Sequence, residues 1–191
     1  PLTQEEMADA ITNLNLVSSF YYQDGEKISD VTSDEVRLVT TLDKISPFVK
    51  DGIVATEDSY FYQHNGIVPK ALVRALLQEA VSSSSGVSGG STLTQQLIKQ
   101  QILTSEVTFK RKANEILYAL RLEKHFTKDQ ILEAYLNVSP FGRNNNGLNI
   151  AGIEEAAQGV FGVSAKDLTL PQAAYLVGMP QNPIVYTPYT N

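Results

Sequence analysis

The chain has 191 residues, a formal net charge of −6 and no cysteine. This length suffices for one domain with a hydrophobic core, and the absence of cysteine excludes disulfides and thiolate sites. The acidic balance argues against a general nucleic-acid-binding protein, so nucleic acid is not an expected partner. The sequence contains no run of about 18 apolar residues, so it predicts no transmembrane helix.

Positive charge is concentrated in the middle of this acidic chain. The segment from Gln96 to Lys128 contains three acids and seven of the 15 cations, namely Lys99, Lys110, Arg111, Lys112, Arg121, Lys124 and Lys128. A locally basic surface of this kind attracts anionic ligands. This segment is therefore where we expect an anion-binding site.

Residues 1–34 are interpreted as a polar N-terminal lead-in. Within this segment an extended piece is expected to turn at Asp24 and Gly25, because this dipeptide favours tight turns. From Ser33 onward the spacing of apolar residues becomes helical, with Pro47 near a helix start.

Two adjacent acids, Glu57 and Asp58, lie within this helical, mostly apolar stretch, which continues to His64. A carboxylate that is partly buried there has a raised pKa and can act as a base. A helix end with two solvated acids and a cap at Gly66 is an equally good interpretation. His64, taken alone, is more often a structural residue than a catalytic one.

The segment from Pro69 to Ala80 predicts a short helix, and the serine and glycine residues from Val81 to Gly90 predict a mobile loop. Loops between rigid helices often gate a site, so this loop is a candidate lid that orders over a bound ligand. A simple linker is the alternative.

The stretch from Gly89 to Gln100 has the pattern of a capped helix start. Ser91 or Thr92 can cap the first free N–H groups, and Thr92, Gln96 and Lys99 share one helical face. A helix N-terminus that carries a hydroxyl, an amide and a cation in a row is suited to binding an anion. A capped surface helix after a flexible loop is the other interpretation.

The clearest amphipathic helix runs from Phe109 to Phe126. Arg111, Lys112 and Glu115 share its polar face, where a surface ion pair contributes only about 0.3–0.5 kcal/mol. Stability alone is therefore a weak reason for this cluster. The apolar face of the helix is predicted to contain Ala113, Ile116, Leu117 and Leu120.

A capping box at Thr127 and Gln130 predicts the start of the next helix, which ends near Pro140. Two helices rich in small residues follow, from Gly152 to Val160 and from Thr169 to Val177. The expected fold class is therefore mostly α. The helix after Thr127 has an expected core face of Ile131, Leu132, Tyr135 and Leu136, with Glu133 and Asn137 outside.

Five motifs occur in a fixed order along the chain. Glu57–Gly66 resembles E-D-x-x-F-x-x-H-x-G, Gly89–Gln96 resembles G-x-S-T-x-T-Q-Q, and Arg111–Glu115 resembles R-K-x-x-E. Lys128–Asn137 matches K-x-x-I-L-E-x-Y-L-N, and Gly152–Gly162 matches G-I-x-x-A-A-x-x-x-F-G. Together they resemble the peptidoglycan glycosyltransferase family, the glycosyltransferase module of class A penicillin-binding proteins.

This resemblance implies a fold and a domain organisation. It covers about residues 35–185, the expected glycosyltransferase domain, with a lysozyme-like helical large lobe and a smaller membrane-facing lobe. Residues 186–191 would begin a linker to a C-terminal transpeptidase domain of the parent chain. In the last motif, Val160–Val163 replaces the family's usual Tyr-Phe-Gly-Lys, which puts local packing in doubt.

The resemblance also implies an activity, the polymerisation of lipid II. The donor is the growing glycan chain, linked through a diphosphate to a polyprenyl lipid, and the acceptor is the 4-hydroxyl of the next lipid II. A β-1,4 link forms with inversion at C1, and polyprenyl diphosphate leaves. The implied location is the extracellular face of the bacterial cytoplasmic membrane, with an anchor outside this sequence. The other expected partners are the membrane surface and phosphoglycolipid inhibitors of the moenomycin type.

The chemistry assigns roles to the residues of these motifs. Glu57 is the candidate base for the acceptor hydroxyl. Lys99, Arg111 and Lys112 would stabilise the negative charge of the departing diphosphate. Glu115, the second catalytic candidate, would either orient these cations or hold a divalent metal, Mg or Mn, on the diphosphate. No organic cofactor is expected.

The remaining motif residues are expected to bind the donor or to support the site. Hydrogen bonds to phosphates or sugars would come from hydroxyl and amide groups of Ser91, Thr92, Gln95 and Gln96. Supporting roles are expected for Asp58, Phe61, His64 and Asn137.

Two other functions compete with this one. A lytic, glycan-cleaving enzyme of lysozyme-like fold would also use one catalytic Glu in a helix-built cleft. It would not need the Lys99, Arg111 and Lys112 cations, because no diphosphate leaves. A non-catalytic lipid- or glycan-binding module would tolerate the loss of Glu57 and is the weaker alternative.

Overall fold

A computed structural model describes most of the chain, namely residues 2–13, 17–21, 27–32, 38–81, 90–103, 109–143 and 149–180. Within these ranges the protein is mostly helical, with two small antiparallel hairpins. The expected mostly α fold is confirmed, and it is consistent with a lysozyme-like helical architecture. The smaller membrane-facing lobe and the domain boundaries stay predictions. In the part that the structure describes, every helix is too short or too polar to cross a bilayer.

The N-terminal lead-in contains a helix that the sequence pattern did not predict. Helix α1 (Gln4–Thr12) begins with a capping box in which Thr3 and Glu6 exchange hydrogen bonds. Its Met7 and Ile11 are buried in the common core, where α1 contacts helices from the middle of the chain. Two buried side chains one turn apart are too few for helical periodicity to stand out in a polar segment.

The extended piece in the lead-in is confirmed as two antiparallel strands, β1 (Val17–Tyr21) and β2 (Lys27–Thr32). The turn residues Asp24 and Gly25 lie outside the described residues.

Helix α2 (Pro47–Glu57) positions the candidate base at its last residue. It follows a short 3-10 turn (Leu42–Lys44), and Ser46 caps it by accepting a hydrogen bond from Phe48 N at 3.3 Å. The prediction of a helical pattern that continues to His64 is wrong, because the chain leaves the helix at Asp58 and forms turns up to Gly66.

Helices α3 (Pro69–Val81) and α4 (Leu93–Gln101) confirm the two helices predicted on either side of the serine- and glycine-rich loop. Of the candidate lid, Val81 is the last residue of α3 and Gly90 is described, whereas residues 82–89 lie outside the described residues. This Gly90 lies against α3, since a Cβ there would be 3.2 Å from the Ala71 carbonyl oxygen and 3.3 Å from Ala75 Cβ.

Helices α4, α5 (Phe109–His125) and α6 (Lys128–Val138) form the centre of the molecule, and α4 packs on both of the others. The predicted core face of α6 is confirmed, since all four of its residues are buried. The predicted apolar face of α5 is wrong at Ala113 and Leu117, which are exposed. From residue 110 onward, the buried side chains of α5 are instead Glu115, Ala119 and Leu122.

The C-terminal part closes the core with a hairpin and small helices. It contains β3 (Pro140–Arg143), β4 (Asn149–Ala151), α7 (Ile153–Ala156), a π-helical turn (Ala157–Phe161), a 3-10 turn (Ala165–Asp167) and α8 (Leu170–Val177). Helix α8 packs against α2. Val160 and Val163, at the motif positions that depart from the family pattern, pack against the core, so the local packing there is maintained.

Candidate active site

The candidate site lies where the turn after α2 meets the N-terminus of α4. Asp58 Oδ2 accepts hydrogen bonds from Leu93 N at 3.0 Å and from His64 Nε2 at 2.6 Å. Leu93 is the first residue of α4, so the carboxylate satisfies one free N–H and interacts favourably with the helix dipole. Asp58 and His64 therefore fasten the turn to α4, which fits the supporting role expected for both.

The environment of His64 defines its tautomer. Gly66 N donates to His64 Nδ1 at 2.9 Å, so the ring proton lies on Nε2, where it is donated to Asp58. Lys128 Nζ donates to the His64 carbonyl oxygen at 2.7 Å and lies 4.7 Å from the centroid of the Phe61 ring. Phe61 is fully buried beneath this cluster, so Phe61 supports the cluster by packing against it.

Of the two candidate caps, Thr92 caps α4. Thr92 Oγ1 accepts from Gln95 N at 3.1 Å, and Gln95 Oε1 accepts from Thr92 N at 3.0 Å. The same hydroxyl donates to the Gly66 carbonyl oxygen at 2.6 Å. Gly66 has φ +109°, and a Cβ there would lie 2.7 Å from the Ala119 carbonyl oxygen. Glycine thus allows the turn to approach α5 closely.

Thr92 and Gln95 are almost fully buried, with their polar groups bonded inside the protein. The sequence predicts direct contact of both side chains with phosphates or sugars. Their geometry favours a different contribution, because each holds the start of α4 in place for its neighbours. Ser91 and Gln96 are the more exposed of the four residues expected to bind the donor.

Two neighbouring glutamines of α4 connect the two candidate catalytic carboxylates. Gln96 Nε2 donates to Glu57 Oε2 at 3.2 Å, and Gln95 Nε2 donates to Glu115 Oε1 at 3.3 Å. Successive residues of an α-helix are rotated by about 100°, so adjacent side chains reach different partners. The first turn of α4 therefore positions both Glu57 and Glu115.

Glu115 is buried, although the sequence pattern assigned it to the polar face of α5. Lys112 Nζ lies 2.7 Å from Glu115 Oε1 and also donates to Ser91 Oγ at 3.1 Å. A buried carboxylate requires such a partner, because an unpaired charge is costly to bury. The pair holds the Lys112 ammonium beside Ser91, next to the N-terminus of α4.

The other two predicted cations differ from Lys112. Lys99 is exposed in the last turn of α4 and makes no hydrogen bond or ion pair with any residue that the structure describes. It follows Gln96 by three residues and so shares its helical face. Arg111 is half-buried at the start of α5, directly before Lys112.

Asn137 lies in a different part of the molecule, where it stabilises the segment before α2. Its side chain bonds to both backbone groups of Thr40, accepting from the N–H at 3.1 Å and donating to the carbonyl at 2.9 Å. Glu133, one turn earlier, accepts from Leu42 N at 2.9 Å. The polar face of α6 therefore anchors the segment that leads into α2.

Tyr135 belongs to the polar network of the site, although the sequence pattern indicated only a core residue. Its hydroxyl donates to Gln96 Oε1 at 3.2 Å, and its side chain is fully buried. Burial, and secondarily the Glu57 carboxylate, raises the pKa of Tyr135, so the hydroxyl stays protonated and remains a donor. Its place in the K-x-x-I-L-E-x-Y-L-N motif was the signal that could have identified it.

The motif order and this geometry agree with a comparison against known families. The transglycosylase family model matches residues 24–191 of the chain. The chain belongs to the transglycosylase family. As the motifs implied, it is a peptidoglycan glycosyltransferase domain.

The chain is similar to several penicillin-binding proteins. The transglycosylase domain is 39% identical over 175 residues to penicillin-binding protein 1A/1B of Bacillus subtilis, which covers 91% of this chain and 18% of that protein. Penicillin-binding protein 1A of Clostridium perfringens is 40% identical over 180 residues, or 93% of this chain and 26% of the relative. Penicillin-binding protein 1B of Haemophilus influenzae is 42% identical over 160 residues, or 84% and 20%. The chain thus spans about a quarter or less of these relatives.

Proposed function

We propose that this transglycosylase domain polymerises lipid II into β-1,4-linked glycan strands, with inversion at C1 and release of polyprenyl diphosphate. The observation that carries the proposal is the arrangement around α4. Its neighbouring glutamines bond to Glu57 on one side and to the Glu115–Lys112 pair on the other. A base and a cation positioned by one rigid helix suit a reaction that removes a proton and releases an anion.

In this proposal Glu57 is the general base. Its carboxylate takes the proton of the acceptor 4-hydroxyl while that oxygen attacks C1 of the donor sugar and the bond from C1 to the diphosphate oxygen breaks. The hydrogen bond from Gln96 Nε2 to Glu57 Oε2 favours the ionised carboxylate, which is the form that accepts a proton.

The leaving diphosphate is bound by Lys112, Arg111 and Ser91 near the start of α4 and by Lys99 in its last turn. Negative charge grows on the leaving oxygens in the transition state, and cations already in position stabilise it without reorganisation. Lys112 is held in this way by Glu115 and Ser91. Lys99 has no competing partner among the described residues, so its ammonium is available to the ligand.

We further propose that a divalent cation, Mg or Mn, binds at Glu115 together with the diphosphate. Glu115 Oε1 is bonded to Lys112 and Gln95, whereas Oε2 accepts no hydrogen bond from the residues described here. Mg²⁺ is commonly held by one or two carboxylates plus substrate phosphates, and its charge would offset that of the diphosphate. The described residues contain no cluster of three acids or histidines, so substrate oxygens would complete the site.

The proposed location is the outer surface of the bacterial cytoplasmic membrane, which α3 would contact. Val73 and Leu77 are 55% and 62% exposed on the side of α3 away from Gly90. Lys70 and Arg74 are exposed on the same helix. An apolar strip with neighbouring cations is suited to an anionic lipid surface, in which a lipid-linked substrate resides.

Two proposals concern partners. The relatives are penicillin-binding proteins several times longer than this chain, which supports a C-terminal transpeptidase domain in the parent protein. A phosphoglycolipid inhibitor of the moenomycin type carries a charged phosphate like the donor, so we place it at the Lys99, Arg111 and Lys112 cations.

The function is tested by incubating the domain with labelled lipid II and separating the products on a gel. We expect long glycan strands together with free polyprenyl diphosphate, and the strands should disappear when a phosphoglycolipid inhibitor is added. A domain that makes no polymer but shortens purified glycan strands would instead be the lytic enzyme.

A further inference from the structure

Helices α4 and α6 are joined by polar side chains within an otherwise apolar contact. Tyr135 donates to Gln96 Oε1 at 3.2 Å, and one turn further on Ser139 Oγ donates to Gln100 Oε1 at 3.3 Å. Tyr135 is fully buried, so its hydroxyl would be costly to bury without a partner. The same Gln96 amide that accepts from Tyr135 donates to Glu57.

We propose that Tyr135 is a positioning residue for glycosyl transfer, whose hydroxyl orients the Gln96 amide so that its N–H₂ group faces Glu57. The inference rests on the proposed role of Glu57 as the base. It adds a buried residue of α6 to the site, because the hydrogen bond of Tyr135 reaches Glu57 through Gln96.

The side-chain amide of Gln96 has two possible orientations. If Gln96 were flipped, its oxygen would face Glu57 Oε2, and two acceptors would meet without a proton between them. The Tyr135 hydroxyl has one proton, and its donation to Gln96 Oε1 selects the orientation in which Nε2 points to the carboxylate. Because burial raises the pKa of Tyr135, the hydroxyl keeps this proton over the working pH range.

The orientation of Gln96 matters to Glu57 in two ways. A fixed N–H donor holds the carboxylate in one direction, toward the place where the acceptor hydroxyl must arrive. The same hydrogen bond favours the ionised form of the carboxylate, which is the form that accepts a proton. Loss of the Tyr135 hydroxyl should therefore disorder the base and favour its protonated form.

The first test is Tyr135→Phe, measured by steady-state kinetics on lipid II across pH. We expect kcat to fall about tenfold, equivalent to about 1.4 kcal/mol, while KM changes by less than about twofold because Tyr135 bonds to none of the residues proposed to bind the diphosphate. The acidic limb of the kcat profile should move up by roughly half a pH unit to one unit. Tyr118→Phe, at a partly buried tyrosine outside the network, is the matched control and should leave kcat and the profile unchanged.

A double-mutant cycle with Gln96→Ala tests whether Tyr135 acts through Gln96. The double variant should be no slower than Gln96→Ala alone, since Tyr135 then has nothing to orient. The proposal would be overturned if the losses of kcat in the two single variants multiplied in the double variant. It would also be overturned if the pH profile of kcat in Tyr135→Phe coincided with that of the wild type. A Glu57→Gln variant that stays active would instead overturn the base assignment, so the two failures are distinguishable.

If Tyr135→Phe does not fold, 3,5-difluorotyrosine at position 135 keeps the hydroxyl and makes it more acidic. An ionised hydroxyl cannot donate to Gln96, so the alkaline fall in kcat should occur at lower pH than in the wild type. An alkaline limb that does not move, in a folded variant, would contradict the positioning role.

Discussion

Two glutamates of the site have different environments, and their roles follow from this difference. Glu57 is half-buried at the end of α2, with Gln96 as a neutral donor. Glu115 is fully buried and paired with the Lys112 ammonium at 2.7 Å. A carboxylate that faces a neutral amide is open to an incoming proton, whereas one paired with an ammonium already has a cation against it. At the scale of single residues, Glu57 is therefore suited to acid–base chemistry and Glu115 to holding a cation.

Lys99→Ala tests the binding of the diphosphate at the residue scale. A charge-assisted hydrogen bond to a phosphate contributes about 1.5–3 kcal/mol, so kcat/KM on lipid II should fall roughly ten- to a hundredfold. Part of the loss should appear in kcat, because charge on the leaving oxygens grows toward the transition state.

The melting temperature should be unchanged in this variant, because Lys99 is exposed and has no partner among the described residues. Lys166→Ala, at another exposed lysine, is the control and should have wild-type kinetics. Wild-type kinetics in Lys99→Ala as well would exclude Lys99 from the donor site.

At the scale of elements, the N-terminus of α4 connects the motifs. Asp58 bonds to its first N–H, Thr92 ties it to Gly66, and its glutamines reach the two glutamates. The E-D and G-x-S-T motifs are therefore parts of one hydrogen-bonded unit. This explains why so many of their side chains are buried in a site that must bind a charged ligand.

The chain contains a natural control for this unit, since α4 and α6 begin with the same capping box, Thr-x-x-Gln. Thr127→Ala, at the exposed cap of α6, should cost about 1 kcal/mol of unfolding free energy and leave kcat unchanged. Thr92→Ala should cost about 2–4 kcal/mol, because the Gly66 carbonyl also loses its donor in a buried place.

The Thr92 variant should also lower kcat by at least about tenfold, because a shifted α4 start misplaces Gln96 and the base. Denaturant unfolding and lipid II kinetics on both threonine variants make the comparison. Equal losses of stability together with equal kcat values would show that Thr92 is an ordinary cap.

The sequence predicted those helix starts that are determined by capping side chains close by in the chain. The capping boxes at Thr92 and Thr127 fix where α4 and α6 begin, and both starts were predicted. The buried face of α5 was not predicted. Glu115 can be buried there because Gln95 of α4 and Lys112 of α5 both donate hydrogen bonds to its carboxylate. Helix α1 was missed because its burial depends on distant helices.

The sequence likewise predicted one part of the candidate site and not the other. Motif spacing brought together the residues from Glu57 to Glu115 as one site, and the structure joins most of them by hydrogen bonds. The bond from Tyr135 to Gln96 spans 39 residues and depends on how α4 and α6 pack. Such a contact is tertiary, and helical periodicity indicates only that Tyr135 faces the core.

At the scale of the whole molecule, the exposed side of α3 is the proposed membrane contact. The double change Val73→Ser and Leu77→Ser should reduce binding to anionic phospholipid vesicles by about tenfold or more, since burying one leucine contributes about 1.5–3 kcal/mol. Thermal stability should not change, because both side chains are already in water.

Leu170→Ser is the matched control for this membrane contact, because Leu170 is 58% exposed on α8. Vesicle sedimentation of the three proteins makes the measurement, and the control should bind like the wild type. An equal loss in both variants, or no loss in either, would exclude α3 as the docking helix.

The central claim is that Glu57 is the base of a glycosyl transfer, and Glu57→Gln tests it most directly. The amide cannot accept the acceptor proton, so kcat on lipid II should fall by about 10²–10⁴. Binding of a phosphoglycolipid inhibitor and the melting temperature should stay at wild-type values, as should all three quantities in Glu5→Gln, an exposed control. A well-folded Glu57→Gln domain that polymerises lipid II at near the wild-type rate would contradict the account.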